Sequence, residues 1–254
     1  MLLTVDIGNT NIFFGIFDNE KIVRSWRIAT DKNKTSNEYG IIFCNLINLD
    51  DVNTKKLTGS IISCVVPTLI EVIKSALRTH IGVDSLIVEP GINTSMPILY
   101  KNPKEIGADR IANGVAAYNE FKKSVVVVDF GTATTFDCIS ERGEYTGGCI
   151  APGLQISSEA LYSAASKLPK VELIKPQNVI GKTTIESIQS GIIYGYSSLV
   201  DGIVRKIQKE MDSSPYVVAT GGFASLISSE SETIKKVDEF LTLKGLRILY
   251  EWNS

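Results

Sequence analysis

Two stretches of this chain repeat one unusual local pattern. An apolar run leads straight into an aspartate, then one residue, a glycine and a cluster of Asn or Thr, and then a second apolar run. The first copy is "LLTVDIGNTNIFFGIFD", residues 2–18, and the second is "VVVVDFGTATTFD", residues 125–137. Strands without polar alternation are the kind buried on both faces. A carboxylate at the end of such a strand is costly unless something compensates it. One turn of this type reads as an ordinary hairpin, since Asp, Gly and Asn are common turn residues. Two of them, each near the start of a similar series of elements, point to a duplicated α/β domain.

The surrounding pattern supports duplication. In the first half, residues 2–5, 12–17 and 21–28 read as three successive strands. Thr35 and Glu38 have capping-box spacing and open a helix to about residue 47. A strand at 60–65, a helix starting at Pro67, a strand at 85–88 and a helix from about 103 to 121 follow. The second half replays the opening with strands at 124–129, 134–139 and 145–150. Helices at 154–166 and about 184–211 and a strand at 215–220 complete it. Gly191, Gly195 and Gly202 weaken the long helix and suggest close packing there. The expected organisation is two domains, 1–118 and 119–254, with Asp6 and Asp129 facing each other across a cleft.

The turns suggest anion binding. Gly8 lets the backbone approach a ligand with no Cβ in the way. Successive N–H groups in such a turn form a concavity for phosphate oxygens, and Asn9, Thr10 and Asn11 add side-chain donors. Gly131, Thr132, Thr134 and Thr135 offer the same in the second copy. A carboxylate beside an anion site calls for a cation between them, so Asp6 and Asp129 imply a metal or monovalent ion near the phosphates.

Other chemistries fall away. The net charge of -2 argues against a nucleic-acid surface. His80 is the only histidine, which excludes zinc sites built on two or three. Its place at the end of an amphipathic helix reads as structural. Cys44, Cys64, Cys138 and Cys149 lack Cys-x-x-Cys spacing and read as small buried hydrophobes in a reducing compartment. "VIGKTT", residues 179–184, ends like a P-loop, but Pro176 stands where the first glycine belongs. No basic leader precedes the first strand, and no apolar run approaches the roughly 18 residues of a membrane span. A soluble cytoplasmic protein is expected.

"IGADRIANG", residues 106–114, holds another constellation. Asp109 and Arg110 open a helix just after Gly107. They read equally as a helix-start acid with a surface Arg, or as a general base with an anion clamp. Spacing alone leaves both open.

The motifs "DIGNTN", "GADRIAN", "DFGTATTFD", "GGCIAPG" and "TGGFA" occur in the order seen in type III pantothenate kinases, and "LTLKGLRILYEWN" resembles that family's ending. The family, which includes Bvg accessory factor-like proteins, lies in the actin–hexokinase–Hsp70 superfamily. The resemblance implies duplicated ribonuclease-H-like (actin-like ATPase) domains with mixed five-stranded sheets and an interdomain cleft. It implies transfer of the ATP γ-phosphoryl group to the hydroxyl of pantothenate, the first step of coenzyme A synthesis. By the same resemblance, Asp6, Ile7, Gly8, Asn9, Thr10, Asn11, Ile12 and Phe13 hold ATP phosphates, with Thr132 contributing from the other half. Tyr100, Gly107, Ala108, Asp109, Arg110 and Thr184 contact pantothenate, with Asp109 as general base. Asp129 ligates potassium or ammonium, and Asp6 acts through water on magnesium. A homodimer is implied. Thr183 stands where the family often has Asn, which leaves open which threonine reaches the substrate. Two other functions stay open: a non-catalytic ligand sensor acting as a transcriptional accessory factor, and a kinase for another small alcohol such as a sugar.

Overall fold

The computed structural model describes residues 1–254. Contacts divide the chain into two units. One comprises Met1–Ser95, Lys101–Ala116 and Leu241–Ser254, the other Met96–Tyr100 and Ala117–Phe240.

The first unit begins with an antiparallel meander of β1 (Leu2–Ile7), β2 (Asn11–Asp18) and β3 (Lys21–Ala29). Helix α1 (Ser36–Leu49), β4 (Gly59–Cys64), α2 (Ile70–Ala76) and β5 (Ser85–Ile87) follow. The sheet order is β3-β2-β1-β4-β5, with β4 parallel to β1 and β5 parallel to β4. This places β1 at the centre and explains why Leu2 to Val5 are buried without a break. β3 lies at an edge and has no fully buried residue, each being half-buried or exposed. The expected capping box forms: the Thr35 hydroxyl accepts the Glu38 N–H, and the Glu38 carboxylate accepts the Thr35 N–H. It aims Tyr39, Phe43 and Ile47, spaced four apart, into the core. Phe43 meets Phe14 of β2 edge-on, with ring centroids 4.7 Å apart. Burying each such ring contributes about 1.5–3 kcal/mol. After α2 a single π-helical turn, Leu77–Ile81, carries His80. Its Nε2 lies 3.0 Å from Asn37 Oδ1 and its ring sits on Gly40, so its role is structural.

Helix α3 (Ala108–Phe121) contributes its first turns to this unit and its last to the other. The boundary expected at residue 118 lies within it. The second unit continues with β6 (Val125–Phe130), β7 (Ala133–Ile139), β8 (Tyr145–Pro152) and helix α4 (Leu154–Ala164). Then come α5 (Thr184–Glu210), β9 (Tyr216–Gly221), α6 (Ala224–Ser228) and β10 (Lys236–Val237). The order β8-β7-β6-β9-β10 repeats that of the first sheet strand for strand, with β9 parallel to β6 and β10 parallel to β9. The duplication read from the two turns is therefore present in the topology. Helix α7 (Leu241–Asn253) packs on β1, β2 and β4 of the first sheet.

Several expectations are corrected. The helix expected from residue 103 is broken: Pro103–Glu105 form a separate 3₁₀ turn capped by Asn102, and α3 starts only after Gly107. Cysteine burial is uneven: Cys44 and Cys64 are half-buried, Cys138 is buried and Cys149 is exposed. Gly191, Gly195 and Gly202 face open space, so they make no close packing within this chain. No helix is long and apolar enough to cross a membrane.

Candidate active site

In the first unit, Asp6 ends the buried run of β1 and is itself half-buried. The Gly8 N–H donates to the Asn11 carbonyl at 2.9 Å, closing the turn. A Cβ on Gly8 would press on that same oxygen at 3.0 Å. The Thr30 hydroxyl then fixes the Gly8 carbonyl at 2.7 Å, and the Thr30 N–H donates to Thr10 O at 3.0 Å. The turn is thus held from behind by the end of β3, while Asn9 and Thr10 remain exposed. Ile7 and Ile12 are fully buried. Their side chains are closed to a ligand. The ring of Phe13 carries the Arg27 guanidinium at 4.5 Å.

The start of α3 stands at the same edge of this sheet. A Cβ on Gly107 would lie 3.7 Å from Val65, whose N–H donates to the Ile7 carbonyl at 3.0 Å. Asp109 curls back over Gly107, and any side chain there would collide with its carboxylate. Asp109 Oδ1 accepts the Arg110 N–H at 2.8 Å. Burial pushes the Asp109 carboxyl above its ordinary value, against the opposing pull of that N–H and of the Arg110 charge. Arg110 is buried in its turn, as is Ala108. Both readings of Asp109 thus find an echo: it does cap its helix start, and it is also a desolvated carboxylate of raised basicity, as general bases often are.

In the second unit, Asp129 occupies the matching place at the end of β6. The Gly131 N–H donates to the Ala133 carbonyl at 3.0 Å, and the Gly153 N–H donates to Thr132 O at 3.1 Å. Opposite, at the end of β9, Gly221 has φ of 92°. A Cβ there would fall 2.6 Å from both Asp129 Oδ1 and the Phe130 carbonyl oxygen. Two hard oxygen donors therefore converge on space that only a glycine leaves open. Such donors are of the kind a hard cation takes, so their chemistry is compatible with an ion beside Asp129.

Tyr100 and Thr184 both belong to the second unit. The Tyr100 ring lies over Gly147 and meets Tyr145 edge-on. Thr183 is the N-cap of α5: its hydroxyl accepts the Glu186 N–H at 3.2 Å, while Glu186 accepts the Thr183 and Lys182 N–H groups. That hydroxyl is committed to the helix end. Thr184, exposed at the first helical position, lines a largely apolar cavity of about 400 Å³ with Leu161, Ile188 and Ile192.

Three contributors were not assigned from sequence. Gly153 and Gly221 had a signal, a glycine at the end of a strand, but which backbone crowds them is a matter of tertiary contact. Thr30 gave no signal at all.

The family profile described as type III pantothenate kinase matches residues 2–206. A protein named type III pantothenate kinase from Citrifermentans bemidjiense is 53% identical over 254 residues, covering all of both chains. Among solved structures, a conserved putative Baf family transcriptional activator from Campylobacter jejuni superposes with a TM-score of 0.62 at 19% identity, covering 98% of this chain and 97% of that one. A ROK family glucokinase from Streptomyces griseus, in complex with glucose and AMPPNP, gives 0.53 at 14% identity, covering 98% of each. At such identities these two structures speak for the fold alone.

Proposed function

The chain belongs to the type III pantothenate kinase family, and from that premise we propose how its own residues carry the reaction. It phosphorylates pantothenate with ATP, the first step of coenzyme A synthesis. The observation that best supports a catalytic rather than a sensing chain is the desolvated Asp109 carboxylate, held over Gly107 at the edge of the sheet that also ends in the Asp6 turn.

The ATP phosphates lie against the turn from Asp6 to Phe13, taking backbone N–H groups and the Asn9, Thr10 and Asn11 side chains. Thr132 adds a hydroxyl. Asp6 would hold magnesium through water, in keeping with an ion that binds one or two carboxylates and keeps much of its hydration. Asp129 and the Phe130 carbonyl would hold potassium or ammonium. These ions supply positive charge beside the triphosphate. Pantothenate is bound by Gly107, Ala108, Arg110, Tyr100 and Thr184. Asp109 orients its primary hydroxyl and accepts the proton as the oxygen bonds to the γ-phosphorus and the bond to ADP breaks. Because the transition state is loose, orientation contributes at least as much as basicity.

We further propose a homodimer. Ile156, Leu161 and Ile185 are 44%, 38% and 50% exposed, and Gly191 and Gly195 face open space. An apolar surface of this kind suits a second copy. The protein works in the cytoplasm, where pantothenate and ATP meet.

The test is ATP consumption by the purified protein with pantothenate and with a panel of sugars, each with and without potassium. Turnover with pantothenate alone, raised by potassium, is the expected result. Turnover with a sugar and none with pantothenate would transfer the reading to another alcohol kinase.

A further inference from the structure

The second unit contains a buried carboxylate that the reaction above does not use. Asp137, on β7, is 0% exposed. The Tyr145 hydroxyl donates to its Oδ1 at 2.6 Å, a short bond. The Thr135 hydroxyl reaches its Oδ2 at 3.4 Å. Tyr145 is equally buried. A buried polar group with its hydrogen bonds satisfied rigidifies a core and specifies one arrangement of it.

Tyr145 is well placed to fix something. It begins β8, beside a register shift between Cys138 and Ile139 of β7. Both of its backbone groups face outward to one short segment. Its N–H donates to the Pro97 carbonyl at 2.8 Å, and its carbonyl accepts the Leu99 N–H at 2.9 Å. Ile98 pairs with it in parallel. The residue after this rung is Tyr100, whose ring centroid lies 6.4 Å from that of Tyr145 at an interplanar angle of 65°. Gly147, with φ of 131°, lies beneath the Tyr100 ring. The chain on either side, to Ser95 and from Lys101, belongs to the other unit. Residues 96–100 are thus a brief visit to this sheet, and Tyr145 supplies its backbone anchor.

We propose that Tyr145 and Asp137 are positioning residues for the acceptor substrate. Asp137 locks the Tyr145 ring, and Tyr145 holds residues 97–100 so that Tyr100 meets pantothenate in one orientation. The proposal rests on the reading of Tyr100 as a pantothenate contact.

Full-length variants test it by steady-state kinetics in both substrates. Tyr145→Phe removes one hydroxyl and keeps the ring. It should raise the pantothenate KM about 10-fold, the upper size of one lost hydrogen bond, with ATP KM and kcat nearly unchanged. Asp137→Asn still accepts from the Tyr145 hydroxyl and should stay close to the parent, whereas Asp137→Val should match Tyr145→Phe. Should Asp137→Val fail to fold, the Tyr145→Phe and Asp137→Asn pair still decides. In a Tyr100→Ala background, which itself raises the pantothenate KM, Tyr145→Phe should add nothing. A normal pantothenate KM for Tyr145→Phe beside a raised one for Tyr100→Ala overturns the positioning role alone. A normal KM for Tyr100→Ala overturns the role of Tyr100 and the proposal with it. A loss in Tyr145→Phe that falls equally on both substrates, together with a lowered Tm, makes the pair merely structural and also overturns it.

Discussion

Asp109 and Gly107 are matched: the carboxylate of Asp109 folds back over the Cα of Gly107, where a methyl group would displace it. Asp109→Asn keeps this shape and still accepts the Arg110 N–H, but it takes no proton. We expect kcat to fall about 10²-fold or more, the range for a lost general base, with ATP KM unchanged. Steady-state rates check this. A near-normal kcat would leave Asp109 as a helix-start acid only.

The raised pKa of Asp109, caused first by burial, has two consequences of opposite sign. The base works as the carboxylate, so kcat/KM should fall as pH drops through the raised value, above the usual carboxylate range. Stability runs the other way. The folded state holds this proton more tightly than the unfolded chain, so the contribution is fully present below the unfolded pKa and is lost as pH rises through the folded one. Asp109→Asn should flatten both dependences. Paired pH–rate profiles and urea unfolding curves measure them. An acid limb that is the same in the Asn variant's residual activity would assign that limb to another group.

Gly221 guards the proposed cation place. Potassium and ammonium should activate, and sodium should do so poorly. Gly221→Ala puts a methyl group where Asp129 Oδ1 and the Phe130 carbonyl converge, and its φ of 92° adds strain. We expect the half-activating potassium concentration to rise about 10-fold or more, as for the loss of about 1.4 kcal/mol of binding. Equal rates in all three salts would remove Asp129 from this role.

The two threonines at the start of α5 should separate. Thr183→Val removes the cap and should cost about 1 kcal/mol of stability, with pantothenate KM nearly unchanged. Thr184→Val should do the reverse, raising pantothenate KM several-fold at constant Tm. Thermal melts and kinetics on both variants decide between them, and the opposite assignment would show as exchanged effects.

Much of the fold was legible because its signals are local. The four valines before Asp129 and the apolar run before Asp6 marked the central strands, and the Thr35–Glu38 spacing marked the start of α1 to within a residue. The last part of the chain was less legible. β10 is two residues long and α6 five, too short for a period to show. The π turn at His80 and the break before α3 depend on contacts distant in sequence. At the site, residue types drew attention to the Asp6 and Asp129 turns and to Asp109. Thr183 and Glu186 have the same capping-box spacing as Thr35 and Glu38, so that cap was open to reading too, although the spacing was not read there. Nothing in the sequence indicated that Gly221 keeps a methyl group away from Asp129, which depends on tertiary packing.

Helix α7 bears on the order in which the molecule can assemble. Gly245 brings it so close to α3 that a side chain there would strike the Ala112 backbone. Buried between the two helices, the Thr242 hydroxyl donates to Asn113 Oδ1 at 2.7 Å. Chains generally fold from the N-terminus as they leave the ribosome. Here, though, the sheet that starts at Leu2 receives its covering helix only from residues 241–253, translated more than 200 residues later. The second sheet is fully synthesised before the first can close. A nascent chain stalled before Leu241 would carry a finished set of strands in its first unit with β1 and β4 uncovered on one side, a natural target for chaperones and proteases.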